Sequence, residues 1–323
     1  MNNYVTIIDV FSMNGKLRCG VAGVGYLGQH HARVYSTLDG CELVGIYDVD
    51  VGRAEEVALK YGCEVFNSIG ELGRSCDCVS VATPTDRHAA VAIPLIANGC
   101  HLLIEKPLAS TLGEAEQILK ATDGRDKILQ VGLIEHYNPA MKFLEAAVSC
   151  PQFVSSQRLS PFNQRGTEVG VVLDLMIHDI GITLRLVKSE IASIDAVGVS
   201  VLSATEDIAN ARVRFQNGCV ADLSASRVSE KKLRELRVFQ SQMYLSMDFT
   251  AQSGHIMKMT TKGLTRSEIP LEKEEPLRTE LASFVHCVKN HSEPKIDVHF
   301  GKKTLELALQ ISELINRARR RIK

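Results

Sequence analysis

Apolar residues recur along this chain in two rhythms, and the change between them falls near residue 134. Before that point, short continuous apolar runs alternate with stretches of helical spacing. Lys16–Val24 reads as a buried strand through Leu17, Cys19, Val21 and Ala22; glycines follow, then a helix from Leu27 to Leu38. Glu42–Tyr47 is a second apolar strand ending at Asp48, and residues 51–61 place Ala54, Val57, Ala58 and Tyr61 on one helical face. A short strand near Val65, strands at 78–82, 101–104 and 128–132, and helices at 86–98 and 111–122 continue the series. Such alternation predicts right-handed crossovers and a parallel sheet with helices on both faces. Continuous apolar strands fit a sheet covered on both sides.

Beyond Glu135 the rhythm changes. Helices are expected at Pro139–Val148 and 171–187, and strand-like segments fill Ile191–Met259. Asn217-Gly218 lies between two of these segments and predicts an antiparallel hairpin. Helices follow at 276–289 and 302–321, the last with Leu307, Ile311, Leu314 and Ala318 on one stripe. The expected fold is therefore α/β: a doubly wound, Rossmann-type parallel sheet over residues 16–134, then an α+β domain at 135–323 on a large, mostly antiparallel open sheet. Residues 1–15 are expected to form a loose extension. Met13, just before the first clear strand, is an alternative start; Val5–Phe11, interrupted by Asp9 and preceded by no basic residue, makes a poor signal peptide.

Composition narrows the function. Of 323 residues, 45% are hydrophobic and 23% charged, and 37 basic against 38 acidic residues leave a formal charge of -1. Nothing in that balance draws the chain to nucleic acid or an anionic membrane, and no run is long and apolar enough to span a bilayer. The nine cysteines are odd in number, scattered and without a Cys-x-x-Cys pair. They read as buried thiols of a cytoplasmic protein, and no metal site is expected.

Gly23-Val24-Gly25-Tyr26-Leu27-Gly28 is a G-x-G-x-x-G that follows a strand and opens a helix, the setting in which the pattern signifies dinucleotide binding. Its glycines permit a tight turn and let main-chain N–H groups approach a pyrophosphate. Asp48 ends the next strand, 20 positions after Gly28; an acid there accepts hydrogen bonds from the adenosine ribose, which favours NAD over NADP. Arg53 is close enough in sequence to offset a 2′-phosphate. Glu105-Lys106-Pro107 follows a buried strand at the edge where α/β sheets hold ligands, so Lys106 is expected to face the cofactor. Asp174 and His178 are four apart within an apolar stretch predicted to be helical, hence on one face. They are either catalytic or a buried hydrogen-bonded pair that fixes the helix. His30 and His31, at the start of the first helix, are read as non-ligands.

Together, the glycine turn, Glu105-Lys106-Pro107 and Asp174-x-x-x-His178 resemble the Gfo/Idh/MocA oxidoreductases from Lys16 onward. The resemblance implies an NAD(P)-binding Rossmann domain followed by a domain whose open sheet carries substrate on one side and often a subunit contact on the other. Lys106, Asp174 and His178 would be catalytic. Cofactor contacts would come from Gly23, Gly25, Tyr26, Leu27, Gly28, Asp48, Thr83, Thr85, His88, Glu105 and Lys106, and a homodimer or homotetramer would form through the second sheet. Glu135–Ala140, Val171–Ile180 and Ser224–Ser229 are similar to one branch, the UDP-N-acetylglucosamine 3-dehydrogenases, which oxidise the sugar 3-hydroxyl. His136 stands where that branch usually carries arginine, and Gly181 where it usually carries an acid. Tyr137, Asn138, Arg165, His178 and Arg227 are the expected substrate contacts, the arginines as partners for a diphosphate.

Chemically, the carbinol must lose a proton while its carbon loses hydride. Either His178, with Asp174 fixing its tautomer, or Lys106 with a lowered pKa serves as the base. Other readings are an inositol or free-sugar dehydrogenase, a glycosidase using tightly held NAD, and a non-catalytic NAD-binding regulator.

Overall fold

The computed structural model describes residues 15–163, 167, 169–261 and 263–322. The expected N-terminal extension to residue 14, Met13 and Arg165 lie outside the described residues.

The first half alternates as its apolar rhythm requires: β1 (Leu17–Ala22), α1 (Gly28–Tyr35), β2 (Cys41–Tyr47), α2 (Val51–Tyr61), β3 (Glu64–Val65), α3 (Ile69–Ser75), β4 (Cys78–Val81), α4 (His88–Ala97), β5 (His101–Glu105), α5 (Leu112–Ala121) and β6 (Leu129–Gly132). The strands form a parallel sheet in the order β3-β2-β1-β4-β5-β6. The pattern did not show α3, whose seven residues include two glycines and are too short for a periodic signature; Ser68 caps it by accepting from Glu71 N at 3.2 Å. Because every strand runs the same way, the residues that follow β1, β2, β4 and β5 gather at one edge. Those residues are the glycine turn, Asp48, Thr83 and Lys106.

The second half contains α6 (Pro139–Ala147), β7 (Phe153–Leu159), a π-helical turn at Val172–Met176 leading into α7 (Ile177–Val187), then β8 (Ile191–Val199), β9 (Ile208–Phe215), β10 (Val220–Ser226), β11 (Leu233–Gln240), β12 (Met243–Asp248), β13 (Ser253–Thr260), β14 (Gly263–Glu268), α8 (Pro276–Asn290) and α9 (Val298–Ile322). Its sheet is ordered β14-β13-β12-β11-β7-β10-β9-β8 and is antiparallel except where β7 pairs with β10. The Asn217-Gly218 turn joins β9 to β10, with Gly218 at φ +87. The strand β7 escaped the sequence reading because Phe-Val-Ser-Ser-Gln-Arg-Leu is half polar. It nevertheless lies inside the sheet, with Val154, Ser156 and Arg158 buried.

One face of this sheet packs under α6, α7 and α9 through Val154, Ala211, Leu223, Leu236, Leu245, Ile180 and Ile311. The last part of the chain also returns to the first sheet. Leu281, Phe284, Val285 and Val288 of α8 share a buried cluster with Cys19, Val21 and Tyr35. Ile296, Val298 and Leu305 close the opposite face, and Ile296 O accepts from Val131 N at 2.9 Å. Among the described residues, no helix is long and apolar enough to cross a membrane.

Candidate active site

The glycine turn shows why each of its three glycines is there. Gly23 has φ +85, and a Cβ on it would lie 2.8 Å from Thr83 N; a Cβ on Gly28 would fall 1.8 Å from Gly23 O. The fold itself demands both. A Cβ on Gly25 would meet only Arg53 Nη1, at 3.8 Å, so the middle glycine keeps space that the protein does not fill, as close approach of a pyrophosphate requires. Asp48 stands beside this space: its Oδ2 accepts from Val24 N at 2.7 Å and its Oδ1 from Asp50 N at 2.9 Å. Tyr26 and Leu27 form an exposed apolar lip. Thr83 Oγ1 is buried and, among the described residues, has no hydrogen-bond partner, and Thr85 opens the short turn to Arg87. This donor set suits a dinucleotide.

Two residues expected at the cofactor brace the loops around it. His88 is buried, with Nδ1 2.9 Å from Pro107 O and Nε2 3.0 Å from Thr83 O, so it ties the loop after β4 to the loop after β5. Glu105 is buried against His31, Oε1 to Nε2 at 2.9 Å, and its Oε2 accepts from Lys106 N at 3.2 Å. Burial alone would raise the Glu105 carboxyl; His31 and Lys106 outweigh it and hold the group below the usual carboxylate range. Both imidazole and carboxylate support Lys106 from behind.

Lys106 reaches the second half of the chain. Its Nζ donates to Asp174 O at 2.7 Å and lies 3.3 Å from Asp174 Oδ1, with side-chain exposures of 15% and 34%. The site therefore opens to solvent. Asp174 thus serves Lys106, and the expected tautomer-fixing bond from Asp174 to His178 is not formed. The reason is local. The chain from Val172 to Met176 is π-helical, and the wider turn removes the i, i+4 alignment that an α-helix would give. His178, first turn of α7, keeps Nδ1 buried and, among the described residues, without a partner, which leaves Nε2 as the nitrogen able to meet a substrate. Burial, then the charges of Lys106, Arg158 and Arg234, push its pKa well down, so the imidazole is neutral.

Beside His178 lies an ionic network that no local pattern announced. Arg158 places Nε and Nη2 on Asp179, each at 2.9 Å, and Nη1 on Glu135 Oε1 at 2.8 Å. Arg234 Nη1 meets the same Glu135 oxygen at 3.1 Å. Arg158, Glu135 and Asp179 are buried, and burial with matched partners is what such charges require.

Several expected substrate contacts belong to the scaffold. Asn138 caps α6 by accepting from Ala140 N at 3.0 Å and donates to Phe249 O at 3.0 Å. Tyr137 is buried under Lys295, whose Nζ is 6.0 Å from the ring centroid; burial, then Glu280, push its hydroxyl pKa up. Arg227 is 4% exposed, donates to Val169 O and Glu206 O, and lies 3.5 Å from Asp207 Oδ1. It secures a loop from within the packed protein. His136 packs edge-on against Phe300 at 5.5 Å, and a Cβ on Gly181 would lie 3.0 Å from its Nε2. The two positions at which the chain departs from the branch pattern therefore touch each other, inside packed protein. Among the described residues, no group of three His, Cys, Asp or Glu side chains could hold a metal ion.

Residues 17–133 match the oxidoreductase family with an NAD-binding Rossmann fold, Gfo/Idh/MocA, and residues 142–246 match the C-terminal domain of the same family. The chain is 36% identical over 302 residues to the UDP-N-acetylglucosamine 3-dehydrogenase of Acidithiobacillus ferrooxidans, covering 91% of this chain and 96% of that protein. It is 27% identical over 309 residues to the scyllo-inositol 2-dehydrogenase (NAD(+)) of Bacillus subtilis, covering 87% and 89%. A solved structure of the Acidithiobacillus ferrooxidans enzyme, GnnA, superposes with a TM-score of 0.89 at 35% identity, over 93% of this chain and 98% of that one. Levoglucosan dehydrogenase in complex with NADH superposes at 0.85 with 17% identity over 94% and 98%, a likeness of fold.

Proposed function

The chain belongs to the Gfo/Idh/MocA family of oxidoreductases, and from that premise we propose that it oxidises a sugar secondary hydroxyl with NAD, the carbinol being C3 of a UDP-N-acetylhexosamine. One observation carries this reading. Lys106 from the cofactor edge and Asp174 from the second half form a half-open ion pair at 3.3 Å, with His178 beside it. Bound nicotinamide supplies the acceptor for the hydride leaving the carbinol carbon. The chain does the rest. Neutral His178 takes the hydroxyl proton at Nε2, and the Lys106 ammonium, held by two oxygens of Asp174, stabilises negative charge developing on the substrate oxygen. The Lys106–Asp174 pairing favours His178 over Lys106 as the base. Asp48 beside Val24 supports NAD over NADP.

The substrate follows from the 36% likeness to an enzyme named for UDP-N-acetylglucosamine, against 27% to one named for scyllo-inositol. The uncovered face of the second sheet is proposed to take a second copy. Asp195, Arg212, Asp222, Ser155, Arg237, Ser246, His255 and Glu268 stand in one register row across it, mixing both signs of charge. Unpaired thiols at all nine cysteines fit a cytoplasmic setting. The test is a panel of UDP-N-acetylglucosamine, inositols and free hexoses with NAD, read by NADH absorbance, with sedimentation giving the oligomer. NADH from UDP-N-acetylglucosamine is the expected result; NADH from inositol alone would replace the substrate, and none from any would remove the dehydrogenase.

A further inference from the structure

Arg158 and Arg234 are register partners on neighbouring strands β7 and β11, yet their surroundings differ. Arg158 is 3% exposed and has all three guanidinium nitrogens on carboxylates. Its charge is fully matched and closed to solvent. Arg234 shares Glu135 through Nη1 alone and its side chain is 38% exposed. Among the described residues, neither its Nε nor its Nη2 has a hydrogen-bond partner.

The position of this half-used guanidinium is fixed by the network. Arg234 alternates with Leu233 and Glu235 and lies on the same side as buried Leu236 and Val238, the side that packs under the helices. Glu135 links it to Arg158, Arg158 links to Asp179, and Asp179 follows His178. The two buried carboxylates are saturated, so the accessible groups around His178 are two cations, Lys106 and Arg234, against one carboxylate, Asp174. The opening is thus positive next to the proposed base.

We propose that Arg234 is the substrate's anion contact: its Nε–Nη2 edge receives a phosphate oxygen of the group attached to the sugar whose carbinol rests on His178. This rests on the nucleotide-sugar reading and names the residue that recognises the charged part. A planar guanidinium offers two parallel N–H donors that match phosphate geometry. Glu135, behind Nη1, orients that fork without occupying it. Arg234 takes the role first expected of Arg227, which the fold buries.

The test uses NAD-loaded protein, wild type beside Arg234→Gln and Arg234→Lys. Kinetics are measured with UDP-N-acetylglucosamine, N-acetylglucosamine 1-phosphate and uncharged N-acetylglucosamine, and binding of UDP-N-acetylglucosamine is measured separately by calorimetry. Arg234→Gln is expected to raise KM and Kd for the phosphorylated sugars by about 10- to 100-fold, the range for a hydrogen bond to a charged group. Its NAD affinity and melting temperature should stay near wild type, kcat/KM for the uncharged sugar should fall far less than for the phosphorylated sugars, and Arg234→Lys should recover part of the loss. Unchanged KM and Kd for the phosphorylated sugars would overturn the proposal while leaving the dehydrogenase standing. An equal loss with the uncharged sugar would show a merely structural residue and overturn it as well. Arg234-dependent binding without turnover would support the anion site and sink the dehydrogenase, and absence of both binding and turnover in wild type would sink both.

Discussion

At the edge of the first sheet, recognition is built from main chain: a turn with φ +85 at Gly23, empty space over Gly25, and an N–H of Val24 held by Asp48. On the second sheet the proposed recognition is built from side chains, with Arg158, Arg234, Glu135 and Asp179 drawn from four separate segments. Main-chain geometry is encoded by the Gly23–Gly28 turn and an acid 24 positions from Val24, and Gly23 and Gly28 leave no room for a Cβ. The ionic network is encoded by residues up to 99 positions apart, and its buried members, Arg158, Glu135 and Asp179, depend on one another. The first arrangement fixes a ligand common to many chemistries; the second leaves one guanidinium half engaged and so can be retuned without touching the first.

The sharpest way to break this contrast is at the point where the two regions meet. Lys106→Ala and His178→Ala are each expected to cut turnover by about 10²–10⁴-fold while NAD binding, measured by calorimetry, holds within a few fold. Loss of NAD binding in either would mean that the two regions are one site. Next in size, Arg158→Met leaves Glu135 and Asp179 with too few partners and should cost about 3–5 kcal/mol in urea unfolding. A neutral result would show that the network is dispensable. Asp48→Ala should weaken NAD by about tenfold, or roughly 1.5 kcal/mol, with stability nearly unchanged; equal affinity would deny it a ribose contact.

Smallest per unit of pH are two opposed titrations in the packing between the regions. Burial, then Lys295 and Arg185, push His136 down to about 3. Its contribution to stability is complete above 6.5 and is lost as pH falls toward 3, by about 1.4 kcal/mol per unit. His136→Asn should flatten that slope by one proton. Glu280 runs the other way. Burial, then Glu105 and Glu135, hold its carboxyl well above the usual value, so its contribution is present below 4.5 and is lost as pH rises. Glu280→Gln should raise the melting temperature at pH 8 and leave it unchanged at pH 4; the reverse order would place an ionised acid in the core.

Legibility followed the same division. The glycine turn, Asp48 and Lys106 were readable because strand, turn and acid follow one another in sequence. Asp174 and His178 stood out as candidates, but the bond expected between them is not formed, since spacing alone does not distinguish a π turn from an α turn. Arg158 and Arg234 were missed because strand arginines look like solvated charge until the register sets them over Glu135. Asn138 and Arg227, expected at the substrate, bond to backbone instead of standing open: polarity shows that a partner is needed, and in a folded chain the partner can be the chain's own backbone.

The return of α8 to the first sheet has a consequence for biosynthesis. Leu281, Phe284 and Val285 seal the apolar side of β1 and Tyr35, so the half of the protein that leaves the ribosome first stays unsealed until nearly the whole chain has emerged. A nascent chain stalled near residue 270 would expose that apolar seam to chaperones and proteases.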